Sequence, residues 1–479
     1  MQQGVSSLSK GRSNALIIIL GLLVSILAGV LGGVFGIFPS LFLIVLVLFI
    51  VSFTFFWGEP RLALVFLITY TFLMGFAGRE IGGFPYGTLI EGLLVLTWIM
   101  VLFKLPSESW QLIKNDLCFL MLLWFIISVL EIANPAGASV RGWMQEIRTA
   151  ALYPVLTVPL AFLLFNRAKD LNIFLILIII LSCIVALNGV KQLHIGLSAG
   201  EQKFLDANPT HLIWGQLRVF SFFSDAGQFG ASQAQIGLMA LILACGPFKT
   251  WKRVLLLIAA GLLFYGMLIS GTRGALFVLV AGVFVALFLS KKVKALILGG
   301  GIFAVLLFIL KFTHIGDGNY HIYRLRSAVD PQDASFNLRL YNQNRLKDYL
   351  SSRPFGGGLG VIGAWGHEYN SDKFLSTIEP DSYWVKVWAM YGIVGFIIWF
   401  GIMMYILGKC CGIVWNIENK GLRIKLIALT SGFAGIFLCS YGNEVINNMP
   451  SSIVVAISLA FVYMGPVFDK KMKTSVLKA

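Results

Sequence analysis

The chain has 479 residues, 58% of them hydrophobic and 12% charged, with a net charge of +15. That balance excludes a soluble globular protein, and the excess of Lys and Arg then points to the cytoplasmic loops of a membrane protein rather than to nucleic acid. The six cysteines (Cys118, Cys183, Cys245, Cys410, Cys411 and Cys439) all fall in or beside apolar runs, at no metal-ligand spacing and with none in the long polar loop.

In chain order, apolar runs of roughly 18–22 residues recur, each long enough to cross a ~30 Å hydrocarbon layer as a helix. The predicted fold is an all-α polytopic membrane protein with about 14 transmembrane helices. The spans are 14–32, 37–57, 61–77, 86–103, 115–133, 149–165, 171–190, 229–246, 253–270, 274–290, 295–312, 383–408, 423–442 and 450–467. The first follows Lys10 and Arg12 and is succeeded at once by a second span, so it is expected to be a retained helix and not a cleaved signal. Sorting the connections by side puts 21 Lys and Arg on one face and seven on the short connections of the other. Both termini are therefore expected in the cytoplasm, and the nearly charge-balanced loop 313–382 outside. Three parts follow: a transmembrane bundle (1–312), a loop subdomain with short helices (313–382) and C-terminal spans (383–479).

Charges near hydrocarbon are expensive and tend to mark function. Glu91, Glu131, Arg273, Lys386 and Glu444 all fall within or at the outward ends of spans, while the inner half of the bundle looks dry. That distribution disfavours a continuous solute pathway. Two further outward segments carry polar residues: 134–148, with Arg141, Glu146 and Arg148, and 191–228, which runs into LRVFSFFSDAGQFG. Arg218, Arg273 and Arg339 are suited to a lipid diphosphate, because guanidinium forks bind its oxygens bidentately and stay charged. Snorkelling at the interface is the simpler role for Arg273, and a solvated face of a loop helix for Arg339. Asp381 stands directly before a span, where it could take a proton from an acceptor hydroxyl or serve, like Ser382, as the helix N-cap. Asn337–Leu350 reads as a short amphipathic helix with Leu338, Tyr341, Leu346, Tyr349 and Leu350 on its apolar side. The GGGLG at 356–360 lacks the Gly-Lys-Ser/Thr of a P-loop and suits a tight turn or a close approach to a ligand. His314, His321 and His367 show no metal-binding spacing, and no Asp-x-Asp motif occurs, so no metal or other cofactor is expected.

Four stretches together resemble the bacterial O-antigen ligase/polysaccharide polymerase family, over about residues 215–405. SGTRGALFVLVAG is similar to the family's Ser-x-x-Arg-Gly-Ala start of a span. RLYNQNRLKDYLSSRPFGGGLG is similar to its arginine, helix and Pro-x-x-Gly-x-Gly, and LRVFSFFSDAGQFG to the loop that carries another arginine. DSYWVKVWAMYGIVGF is similar to its return helix. The resemblance implies an inner-membrane glycosyltransferase, independent of metal, that moves a glycan with inversion from undecaprenyl diphosphate to a sugar hydroxyl on the periplasmic face. It implies that Arg218 and Arg273 hold the diphosphate and stabilise it as it leaves, and that Arg339 fixes the donor or closes the loop over it; Lys386 and Glu91, from the polar pocket that the span-end charges describe in the outer leaflet, are further substrate-binding candidates. Asp381 stands where ligases carry a His, eleven residues before Gly392. That departure favours a polymerase joining glycan repeats over a ligase acting on lipid A–core. A flippase, other transporter or membrane scaffold are the alternatives of other classes. The partners implied are the lipid-linked donor, the glycan or lipid A–core acceptor, membrane lipid, and a chain-length regulator or flippase.

Overall fold

The computed structural model describes residues 54, 56–82, 86–291, 293–313, 318, 323, 324, 326 and 334–477. The predicted span 14–32, most of 37–57, and loop residues His314 and His321 lie outside them. The described chain is helical: α1 (Arg61–Ile81), α2 (Tyr86–Lys104), α3 (Asp116–Leu130), α4 (Val140–Ile147), α5 (Tyr153–Leu164), α6 (Ala168–His194), α7 (Ala199–Ala207), α8 (Ala226–Ala244), α9 (Thr250–Ile269), α10 (Ala275–Leu289) and α11 (Val293–Phe312). After these come α12 (Ala334–Leu350), α13 (Ala364–Tyr369), α14 (Tyr383–Asn416), α15 (Lys420–Cys439), α16 (Ser451–Tyr463) and α17 (Gly465–Leu477). The sheet among the described residues is one two-residue hairpin, β1 (Leu212–Ile213) against β2 (Gln216–Leu217), antiparallel. Its turn residues Trp214 and Gly215 both have positive φ, as a tight hairpin requires. Among the described residues, eight helices are long and apolar enough to cross a membrane, or nine if α16 and the start of α17, bent by 46°, form one span. The chain is an all-α, multi-pass membrane protein.

α8 forms the centre, with every residue buried except Leu241. Its Gly, Ala and Ser residues let neighbours approach closely, as membrane helices require when no hydrophobic force drives them together. The same device joins α10 to α15, where a Cβ at Gly282 would lie 2.9 Å from the Ser431 carbonyl oxygen and one at Gly435 would lie 2.6 Å from that of Val278. The interior is not purely apolar. Gln233 packs on Gly266 of α9 and Gln235 on Gly432 of α15, both buried midway along α8.

The span expected at 149–165 begins earlier, at Val140, because α4 continues through a π-helical turn (Arg148–Leu152) into α5. α14 is broken at Gly392, where φ is 67° and ψ −171°. The break frees the carbonyls of Ala389 and Met390, which accept from the amides of Gly357 and Gly358, each at 2.9 Å. Val394 N–H in turn donates to the Pro354 carbonyl at 3.2 Å. Gly360 lies against Gly142, and Asn370 links the two by donating to the Gly360 carbonyl and accepting from Ser139 N–H. The GGGLG segment thus makes close approaches to the chain's own backbone, at Gly356 against Met390 and Gly392 and at Gly360 against Gly142. It clamps the loop onto α4 and the kink of α14. The apolar side expected for 337–350 divides: Leu346 and Leu350 enter the core, while Leu338 and Tyr341 are exposed.

Candidate functional site

At one end of α8, α10 and α15 lies a cavity of about 740 Å³ whose lining includes Arg218, Arg273, Arg339 and Asp381. Arg218 follows β2; its backbone N–H donates to the His211 carbonyl at 2.8 Å, and its guanidinium reaches the Thr210 carbonyl at 3.5 Å. Arg273 closes the Ser270–Arg273 turn before α10. That turn is pinned to the start of α8 by Thr272 Oγ1, which donates to the Ala226 carbonyl at 2.8 Å, and to the Arg218 strand by Val219 N–H donating to the Ile269 carbonyl at 3.3 Å. Two arginines 55 positions apart are thereby set on one scaffold. Arg339 arrives from α12, and its Nε donates to Asp381 Oδ2 at 3.0 Å. The N-cap of α14 is Ser382, whose Oγ accepts from Val385 N–H, so Asp381 is not the cap and its carboxylate faces the cavity.

Lys386 and Glu91 are not among the lining residues. Lys386 is buried behind the wall, with Nζ 3.0 Å from both Glu146 and Glu444. Glu146 is fully buried, whereas Glu444 reaches the cavity. Burial raises the pKa of Glu444, Lys386 pulls it down, and Glu146 raises it again, with a net rise. Glu91 accepts from Arg148 Nε and Tyr153 hydroxyl, both at 2.5 Å, and ties α2 to the π-helical turn and α5. Glu131 accepts from Asn134 at 2.7 Å.

Sequence reasoning missed several residues here. Asp225 lines the cavity and caps α8 by accepting from Gly227 and Gln228 N–H. Its other oxygen lies 3.7 Å from Nε2 of buried His211. Burial lowers the His211 pKa against the pull of Asp225. Arg79 donates to the carbonyls of Ser221 and Phe223 and lies over the rings of Phe204 and Phe220, at 4.1 and 4.7 Å from their centroids. It holds the loop that carries Arg218 and Asp225. The signal for Asp225 was the Ser-Asp-Ala-Gly step before a long apolar run, a helix N-cap pattern. Nothing local marks Arg79, whose partners lie more than 120 residues away.

The lining carries four arginines (Arg218, Arg273, Arg324 and Arg339) and three carboxylates (Asp225, Asp381 and Glu444). Such a cavity can bind a polyanion and hold a proton acceptor beside it.

Residues 256–400, which carry Arg273, Arg339, Asp381 and Lys386, match the family described as O-antigen ligase. An O-antigen polymerase of Salmonella muenchen is 30% identical over 298 residues, covering 58% of this chain and 69% of that protein. With the helical membrane architecture and the arginine-lined cavity, these matches show that the chain belongs to the O-antigen ligase/polymerase family of multi-pass membrane proteins.

Proposed function

We propose that the protein polymerises surface polysaccharide, joining units from an undecaprenyl-diphosphate donor to a sugar hydroxyl at the periplasmic face of the bacterial inner membrane. The observation that carries this reading is the convergence of Arg218, Arg273 and Arg339 with Asp381 on one cavity. The acceptor oxygen attacks the anomeric carbon from the face opposite the diphosphate. The C1–O bond to phosphate breaks, its electron pair stays on the diphosphate, and the hydroxyl proton passes to a carboxylate. Fixed guanidinium groups aimed at the leaving oxygens lower this barrier directly, without a metal. Asp381 is the proposed base. Its ion pair with Arg339 is half-exposed, and pairs of that kind contribute about 0–1 kcal/mol. An incoming diphosphate can therefore take Arg339 at little cost and leave Asp381 free to accept the proton. Glu444 is the second candidate, because it reaches the same cavity and its raised pKa favours proton capture. Lys386 acts by holding Glu444 in the cavity wall, and Glu91 by tying α2 to the π-helical turn and α5 away from the lining.

The orientation proposed puts both termini in the cytoplasm and loop 313–382 outside, with 1–312 and 383–479 as membrane parts and 14 spans in all, supported by the 21-to-seven division of basic residues. The family match described as O-antigen ligase supports transfer to lipid A–core as the second reading. The test is a reaction in nanodiscs with synthetic undecaprenyl-diphosphate repeat units, comparing wild type with Arg273→Ala and Asp381→Ala. A product ladder abolished by Arg273→Ala is expected. A single new band that needs lipid A–core would establish the ligase, and folded protein that consumes no donor in either assay would overturn both.

A further inference from the structure

The three helices that meet at the arginine cavity share a second pocket at their other ends. α8 runs from Ala226 beside the cavity to Ala244, and its 19 residues span about 28 Å, close to the ~30 Å of a hydrocarbon core. α10 and α15 make the same passage, from Arg273 to Ser290 and from Tyr441 back to Lys420. The far pocket, of about 520 Å³, therefore lies at the headgroup level of the opposite leaflet.

Its walls are apolar, formed by Ile242, Leu287, Ile424 and Ile427, and its charged lining residues are Arg253, Lys420 and Arg423, with no carboxylate among them. Arg253 is anchored at the rim by its Nε, which donates to the Ala244 carbonyl at 2.9 Å. Lys420 and Arg423 lie in the first turn of α15, where the helix dipole adds positive potential. At the same end of α9 as Arg253, Trp251 is 58% exposed, as expected of an aromatic side chain at a membrane interface. Leu257 of α9, one turn beyond Arg253 on the same helix face, is exposed apolar surface on which an acyl chain can lie.

We propose that this pocket binds one anionic glycerophospholipid, with its phosphate held by Arg253, Lys420 and Arg423 and its upper chains in the apolar cleft between α8, α10 and α15. Three cations without a carboxylate call for an anion, and the apolar walls at headgroup depth call for one that carries hydrocarbon. The proposal does not depend on which glycan reaction occurs at the opposite end.

Cys245 lines the pocket and is exposed, whereas the other five cysteines are buried or half-buried, so its thiol reports occupancy. The full chain is placed in phosphatidylcholine nanodiscs with or without phosphatidylglycerol, and maleimide labelling of Cys245 and the melting temperature are followed. Phosphatidylglycerol is expected to slow labelling several-fold and raise the melting temperature, while inorganic phosphate added to phosphatidylcholine nanodiscs does neither. The triple variant R253Q/K420Q/R423Q should lose both responses, and R253K/R423K, which keeps the charge, should retain them. Equal protection by the two lipids, protection by inorganic phosphate alone, or a full response in the triple variant would overturn the proposal. If the triple variant does not fold, native mass spectrometry of the wild type decides: a phosphatidylglycerol adduct that outlasts phosphatidylcholine supports it, and no difference refutes it.

Discussion

Replacing Lys386 with Met removes the cation shared by Glu146 and Glu444 while keeping much of the side chain's apolar bulk. Each 3.0 Å pair is worth about 5–6 kcal/mol of Coulomb attraction at an effective dielectric near 20. Most of that is cancelled by the cost of taking three charged groups out of water. The substitution therefore does not report the strength of the pairs. It reports the penalty of leaving Glu146, at 0% exposure, charged without a counter-ion. Deleting one partner of a buried pair costs about 3–5 kcal/mol, and Lys386→Met should lose stability in that range, measured by denaturant unfolding of the full chain in detergent. The double variant Glu146→Gln/Lys386→Met should recover most of the loss, because Glu444 can be solvated from the cavity. The cycle should then give a coupling energy of about 0.5–3 kcal/mol. An unfolding curve for Lys386→Met that overlays the wild type, or a double variant no more stable than the single one, would refute this account of the triad.

Arg273→Ala should lower glycan transfer by about 10²–10³-fold with little change in melting temperature, and an unaltered rate would remove Arg273 from the reaction. Asp381→Asn should cost about 10²–10⁴-fold if Asp381 is the base; should Glu444→Gln carry that loss instead, with Asp381→Asn near wild type, the base is Glu444. Gly392→Ala should abolish stable expression, because its Cβ would lie 2.1 Å from the Pro354 carbonyl oxygen at a φ of +67°; a variant that folds with an unchanged melting temperature contradicts the clamp. Glu201 offers a test against pH. Burial disfavours its charge, but hydrogen bonds from Lys191, Ser198, Asn188 and Gln192 outweigh this and hold its pKa down at about 2. The folded value lies below the ordinary ~4.3, so the stabilisation is complete above that pH and is lost as pH falls towards about 2. The gap in melting temperature between wild type and Glu201→Gln should hold from pH 7 to about 5 and narrow below it; a gap that stays constant down to pH 3 excludes this origin.

Hydropathy made the membrane helices legible because a span must be apolar whatever its neighbours are. The expected runs at 61–77, 86–103, 171–190 and 253–270 each fall within an observed helix or overrun it by a residue. It failed at α4 and the π-helical turn after it, where Arg141, Glu146 and Arg148 read as an outward connection. A window of local hydropathy cannot see that Glu146 meets Lys386, 240 positions later. The same blindness turned Lys386 and Glu91 into ligand candidates. Their isolation in apolar sequence was real, and what each meets is a distant charge: Glu146 and Glu444 around buried Lys386, and Arg148 beside half-buried Glu91. Arg218, Arg273, Arg339 and Asp381 were legible through the order of the motifs that carry them, since nothing in any one stretch shows that they meet. The glycines at 356–360 teach the converse. Their type correctly announced a close backbone approach, but glycine states only that something comes near. Here what comes near Gly356 and Gly360 is Gly392 and Gly142, so these glycines lock the base of the loop that leads to Asp381 onto the membrane helices.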